Sequence, residues 1–187
     1  KKLKTAVFIS GKGSNLKNLI NFSFLKKSPI IINLVISSNS KAKGLDYAKK
    51  NNIKSKVFIF SKKSKCEVDI LKILKKNKIK LICLAGFMKI LSHNFIKKFN
   101  GKILNIHPSL LPKYKGLNTH QKAIQNNEKF SGCTVHFVSS KLDSGKIILQ
   151  KKVKICKTDT PEKLAKKVLK IEHKLYPKAI MTLFPNL

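Results

Sequence analysis

The chain has 187 residues, 42% of them hydrophobic, and a formal net charge of +33. That content suits one folded domain with a substantial core rather than a disordered segment, and no apolar run reaches the roughly 18 residues a membrane span needs. All 41 basic residues are lysine, whereas a dedicated nucleic-acid binder is expected to use arginine for its bidentate phosphate and guanine contacts. The lysines also form no single arm and have no aromatic platforms between them. Lysine, asparagine and isoleucine share A/T-rich codons, so we read the charge as genome bias rather than a specific nucleic-acid footprint.

The opening "KKLKTAVFIS" is basic and then apolar, but its apolar part is too short for a leader and runs straight into "GKGSN". A first strand is expected there. Further β-rich runs follow in order: "IINLVISS", "SKVFIF", "KLICLAGF", "KILNIHPS", "CTVHFV" and "KIILQKKVKI". Helical patterns fall between them near Asn15–Leu25, Gly44–Asn51, Glu67–Asn77, Ser92–Phe99 and His120–Asn126. A last helix is expected from Thr160 to about Leu183, started by Thr160, Pro161 and Glu162. The alternation predicts an α/β fold, a single domain over 1–187 with a mostly parallel, mixed sheet of about seven strands flanked by helices. The final two strands, joined by "SSKLDSG", should form an antiparallel hairpin.

Three places carry candidate chemistry. "SGKGSN", between the first strand and the first helix, has glycines for a tight turn and N–H groups that can receive an anion. A plain turn capped by Ser14 or Asn15 would look similar. In "KILNIHPS", strand alternation puts Asn105 and His107 on one face, and Pro108 stops the ladder just beyond them. An amide can donate to a developing oxyanion, and an imidazole moves protons near neutral pH; a hydrogen-bonded loop pair is the competing reading. Asp143 in "KLDSG" is either a hairpin-turn aspartate or a carboxylate serving an imidazole. His136 reads as a structural strand histidine. Glu172, among lysines in the last helix, reads as a surface ion-pair partner or as a substrate ligand. Ser109 lacks a nucleophile-elbow context. The five histidines and four cysteines show no ligand spacing and no C-x-x-C pair, so neither metal nor disulfide is expected, and a reducing, cytoplasmic setting is.

Taken in order, "SGKGSNL", "AGFMKILS", "LNIHPSLLPKYKGLNTH", "GCTVHFVSSKLDSGKIILQ" and "IEHKLYP" resemble the phosphoribosylglycinamide formyltransferase family from Thr5 to Pro177. The resemblance implies a Rossmann-like formyltransferase fold, with ribonucleotide binding in the N-terminal half and folate binding and catalysis in the C-terminal half. It implies transfer of a formyl group from 10-formyltetrahydrofolate to glycinamide ribonucleotide in purine synthesis, without metal, by a monomer or homodimer. Asn105, His107 and Asp143 match the family's catalytic residues. Gly13, Ser14, Asn15, Lys63 and Glu172 match ribonucleotide contacts. Met88, Lys89, Ile90 and Leu91, with Ser139, Ser140, Lys141, Leu142 and Asp143, match the folate site. Lys63 and Lys89 stand where arginine is usual and lose its fork; Asn118 and Ser140 also depart from the common pattern. A formyltetrahydrofolate hydrolase shares the catalytic trio but not the "GKGSN" loop. Methionyl-tRNA formyltransferase carries a further domain for which 187 residues leave no room. A lysine-rich nucleic-acid-binding domain would explain none of the ordered motifs.

Overall fold

A computed structural model describes residues 2–185 and 187. Seven strands and six α-helices alternate along it as β1 (Leu3–Ile9), α1 (Ser14–Phe24), β2 (Ile30–Ser37), α2 (Gly44–Lys50), β3 (Lys54–Val57), α3 (Lys63–Lys76), β4 (Leu81–Leu84), α4 (His93–Lys98), β5 (Lys102–His107), α5 (Thr119–Gln125), β6 (Phe130–Phe137), β7 (Ile147–Lys154) and α6 (Pro161–Leu183). The strands form one sheet in the order β3-β2-β1-β4-β5-β6-β7. β1 is buried continuously from Thr5 and β6 from Ser131 to His136, as strands covered on both faces must be. The edge strands carry Lys54 and Lys56 at one end of that order and Lys151, Lys152 and Lys154 at the other. Lysine on an edge discourages addition of a further strand.

The chain falls into two compact units, one holding residues through Leu104 together with those from Met181 onward, the other Asn105–Ile180. In the first unit β1 pairs in parallel with both β2 and β4, and β3 with β2. Strand order therefore reverses between β1 and β4, and open α/β sheets bind ligands beyond the strand ends at such a point. The loops leaving β1 and β4 are joined there: Ser10 N donates to the Gly86 carbonyl (3.1 Å) and Met88 N to Ser10 Oγ (2.8 Å). Phe8 meets Phe87 and Phe95 edge-on at 5.3 and 6.4 Å, and Phe60 meets Phe87 at 5.6 Å.

Beyond shifts of one or two residues, three element bounds differ from expectation here, β4 ending at Leu84 rather than running on to Phe87. β3 stops at Val57 instead of continuing through Phe60, because Phe60 enters a 3-10 turn (Phe60–Lys62) and packs on Phe87. α3 then starts at Lys63, four residues ahead of the Glu67 start read from the apolar period. Lys63, Ser64 and Lys65 at its start are exposed and so offer no apolar periodicity to read.

In the second unit β6 and β7 form the expected antiparallel hairpin, with a register shift between Val135 and His136. α6 buries Leu164, Val168, Glu172, Leu175, Tyr176 and Ala179 on one stripe. Thr160 Oγ1 accepts from Lys163 N at 3.3 Å, the cap its sequence signal predicted, a type of bond worth about 1 kcal/mol. Among the described residues no helix is long and apolar enough to cross a membrane.

Candidate active site

β5 ends inside the second unit on a buried polar cluster. Alternation turns Asn105 and His107 to one face, and the hairpin after β6 returns Asp143 to them. The His107 and Asp143 side chains are 7% and 8% exposed, with Nδ1 of the ring 3.4 Å from Oδ2 of the carboxylate. Asn105 Nδ2 reaches Asp143 Oδ1 at 3.5 Å, and Gly116 N donates to Asp143 Oδ2 at 2.9 Å. All three residues singled out as catalytic from the sequence thus meet. Asp143 adopts a left-handed backbone (φ 44), a conformation that aspartate and asparagine tolerate better than most residues.

Two participants carry little sequence signal. His107 Nε2 lies 2.8 Å from the carbonyl oxygen of Tyr114. A carbonyl only accepts, so Nε2 bears a proton and Nδ1 is the ring nitrogen that faces Asp143. The second is His136, read from the sequence as structural. Its Nδ1 donates to the Phe137 carbonyl at 2.9 Å, which leaves Nε2 to accept from Asn105 Nδ2 at 3.2 Å. That pattern orients the Asn105 amide, since the flipped amide would set its oxygen against both His136 Nε2 and Asp143. Nε2 of His136 is also 3.7 Å from Asp143 Oδ1, but burial outweighs the carboxylate and holds the histidine below its usual pKa. We therefore read this contact as a neutral ring beside a carboxylate, not as an ion pair. His120, whose Nδ1 is buried without a hydrogen-bond partner, is likewise lowered, first by burial and then by His107.

These directions give a pH prediction. The native pKa of His136 lies below its ordinary 6.5, so acid favours the unfolded chain. The stability it contributes is complete above about 6.5 and is lost as pH falls through the native pKa. Melting temperatures from pH 7.5 to 5.5 should decline, with His136 supplying up to about 1.4 kcal/mol per pH unit at the steepest point. His136→Asn should flatten the curve; equal slopes in the two proteins would exclude His136 as its source.

Other candidates separate clearly. Glu172 is buried (6% exposed), which overturns the surface ion-pair reading. Its charge adds to burial in pushing the nearby Cys133 thiol up to about 12, far from a nucleophilic thiolate. Ser109 Oγ donates to the Lys113 carbonyl at 2.6 Å and is committed to the loop. Ser140, Lys141 and Leu142 are exposed on the turn that carries Asp143, while Ser139 Oγ and Ser144 Oγ donate to the carbonyls of Lys141 and Leu142.

In the first unit, Gly13 caps α1 in a left-handed conformation (φ 75), and no side chain caps the helix; neither Ser14 nor Asn15 plays the cap role weighed above. A Cβ at Gly13 would come within 2.4 Å of Gly44 Cα, so position 13 needs glycine both for its φ and for the close approach of the two backbones. Lys63, exposed, is the first residue of α3. In the loop after β4, Met88 and Ile90 are 63% and 59% exposed while Leu91 is 4% exposed. Paired large apolar side chains left open in this way suit a ligand face, whereas Leu91 belongs to the core. Among the described residues no group of three or more His, Cys, Asp or Glu side chains is placed to hold a metal ion.

Residues 3–180 match the formyl transferase family. The chain is 44% identical over 180 residues to the phosphoribosylglycinamide formyltransferase of Haemophilus influenzae, covering 95% of this chain and 85% of that one. It is 43% identical over 183 residues to the human trifunctional purine biosynthetic protein adenosine-3; the match takes in 96% of this chain but only 18% of the human protein's length. The crystal structure of phosphoribosylglycinamide formyltransferase from Brucella melitensis superimposes with a TM-score of 0.94 at 43% identity, covering 100% of this chain and 98% of that one.

Proposed function

The chain belongs to the formyl transferase family, and on that premise we propose that it transfers the formyl group of 10-formyltetrahydrofolate to the primary amine of glycinamide ribonucleotide. The products are formylglycinamide ribonucleotide and tetrahydrofolate, in the cytoplasmic synthesis of purines. The names of its relatives support the reaction, and the observation that carries it is the buried meeting of Asn105, His107 and Asp143.

The amine nitrogen attacks the formyl carbon, a C–N bond forms, and the carbonyl oxygen becomes an oxyanion on a tetrahedral centre. Breaking the bond to the folate nitrogen, with one proton passing from the amine to that nitrogen, completes the transfer. Asn105 lends the N–H now held in its long 3.5 Å contact with Asp143, since the 3.2 Å bond to His136 keeps the amide oriented. His107, protonated on both nitrogens, offers Nδ1–H to the oxyanion. Its 3.4 Å separation from Asp143 exceeds the roughly 2.7–2.9 Å of a tight charged hydrogen bond, so the proton can be shared with substrate. Asp143 stabilises that imidazolium and, through water, takes up the proton released by the amine. With Cys133 raised and Ser109 committed, direct transfer fits better than a covalent enzyme intermediate. Gly13–Asn15, Lys63 and Glu172 would hold the ribonucleotide, the first three at the open start of α1. Met88, Lys89 and Ile90, and the backbone of 139–143, would contact the folate.

The test is to mix purified protein with both substrates and follow formylglycinamide ribonucleotide and tetrahydrofolate. Stoichiometric appearance of the two supports transfer. Formate release that does not depend on the ribonucleotide would replace transfer by hydrolysis.

A further inference from the structure

We infer that Glu128 is a positioning residue for this reaction: it holds Tyr114 so that the Tyr114 carbonyl can orient His107. The inference rests on the formyl-transfer reading only for its kinetic arm. Its geometry stands alone and lies wholly within the second unit.

Tyr114 carries a positive φ of 55, a backbone state that an aromatic residue leaves unless something retains it. Its carbonyl nonetheless receives the 2.8 Å bond from His107 Nε2, a contact shorter than the ring's 3.4 Å approach to Asp143. What retains Tyr114 is its own side chain. The hydroxyl donates to Glu128 Oε1 at 2.8 Å, and Lys113 Nζ reaches the same oxygen at 2.7 Å. Lys113 and then Tyr114 hold the Glu128 carboxyl below its usual pKa, so it is a charged acceptor throughout the neutral range. Glu128 is itself anchored, its N–H donating to the Ala123 carbonyl at the end of α5 (3.0 Å).

Packing alone does not do this work. Tyr114 and Glu128 border a cleft of about 560 Å3, shared with Leu110, Pro112, Phe130 and Lys152, so the phenol has open space into which it can swing. Without the Glu128 oxygen, rotation of Tyr114 would carry its carbonyl off His107 Nε2. The ring would then lose the contact that directs Nδ1 toward Asp143.

Three variants test the inference. Glu128→Ala removes the acceptor, Tyr114→Phe removes the donor, and Glu128→Gln keeps an amide oxygen able to receive the phenol. In Glu128→Ala and Tyr114→Phe, kcat should fall about tenfold, as expected when a reacting group is displaced by a fraction of an ångström, with KM for both substrates within about twofold. Glu128→Gln should recover most of kcat, and the double variant should be no slower than either single one. Nitrogen-15 NMR of the imidazole of His107 should show a hydrogen-bonded Nε2–H in the wild type and in Glu128→Gln, lost or shifted in the other two. Unchanged kcat and an unchanged His107 signal in Glu128→Ala and Tyr114→Phe would overturn the inference, even if Glu128→Ala melts at a lower temperature. Should Glu128→Ala not fold, Tyr114→Phe, which lacks a single oxygen atom, decides. The NMR arm needs no substrate, so it still decides if the wild type proves not to transfer formyl groups.

Discussion

Asp143→Asn is expected to lower turnover by about 10³-fold, within the range general acid–base groups supply, while moving the melting temperature by no more than a few degrees. The two halves of that result have separate causes. At φ 44 asparagine is as comfortable as aspartate, and its amide oxygen can still accept from Gly116 N, now 2.9 Å from Oδ2. The loop therefore keeps its shape. The charge is what disappears, and with it the partner of an imidazolium His107 and the acceptor for the proton released by the amine. If the amide nitrogen instead takes the place of Oδ2, it faces Nδ1 of His107 donor to donor, which opposes the protonated ring further. Steady-state kinetics with both substrates and a thermal melt check the two halves independently. Near-normal turnover in a folded variant would remove Asp143 from the chemistry; a collapsed melting temperature would make it a structural aspartate.

Most of the fold was legible because its signals are local. Strands buried on both faces read as unbroken apolar runs, and the chain ends of these runs are marked by residues such as Pro108 and by the "SGKGSN" turn. Where signals were lost, tertiary contacts explain why. Phe60 belongs to an apolar run that resembles strand, yet its ring is drawn to Phe87, and the exposed lysine-rich start of α3 has no period to betray it. Glu172 illustrates a reading that could have been sharper. Val168, Glu172, Leu175, Tyr176 and Ala179 share one helical stripe and are all buried, so spacing pointed inward while the surrounding lysines suggested a solvated face. Of the site, Asn105, His107 and Asp143 could be singled out because catalytic side chains are chemically distinctive. The Tyr114 carbonyl could not, since every residue has one and only the folded loop aims it. His136 was visible as a residue, but its partners come from β5 and from the far end of its own hairpin, and sequence does not show that convergence.

That convergence makes Gly145→Ala the second severe substitution, although position 145 carries no functional group. A Cβ there would sit 1.7 Å from the Phe137 carbonyl oxygen and 2.7 Å from the carbonyl carbon. Both are backbone atoms of the paired strand, so no side chain can swing aside, and the hairpin must open at its end. Overpacking of this kind costs about 1–3 kcal/mol. The same oxygen accepts from His136 Nδ1, and the bond between Phe137 N and the Lys146 carbonyl (2.9 Å) closes the strands beside it. Displacing the Phe137 carbonyl therefore frees His136 to change tautomer and removes the acceptor that orients Asn105, while the strained turn carries Asp143, two residues back, out of reach of His107. Because a misplacement of about 1 Å in a reacting group can cost about 10²-fold in rate, turnover should fall by at least that much in protein that still folds. Circular dichroism and thermal melts measure the first effect and single-turnover formylation the second. An alanine variant with wild-type rate and stability would mean that the β6–β7 turn does not hold Asp143 in the way described.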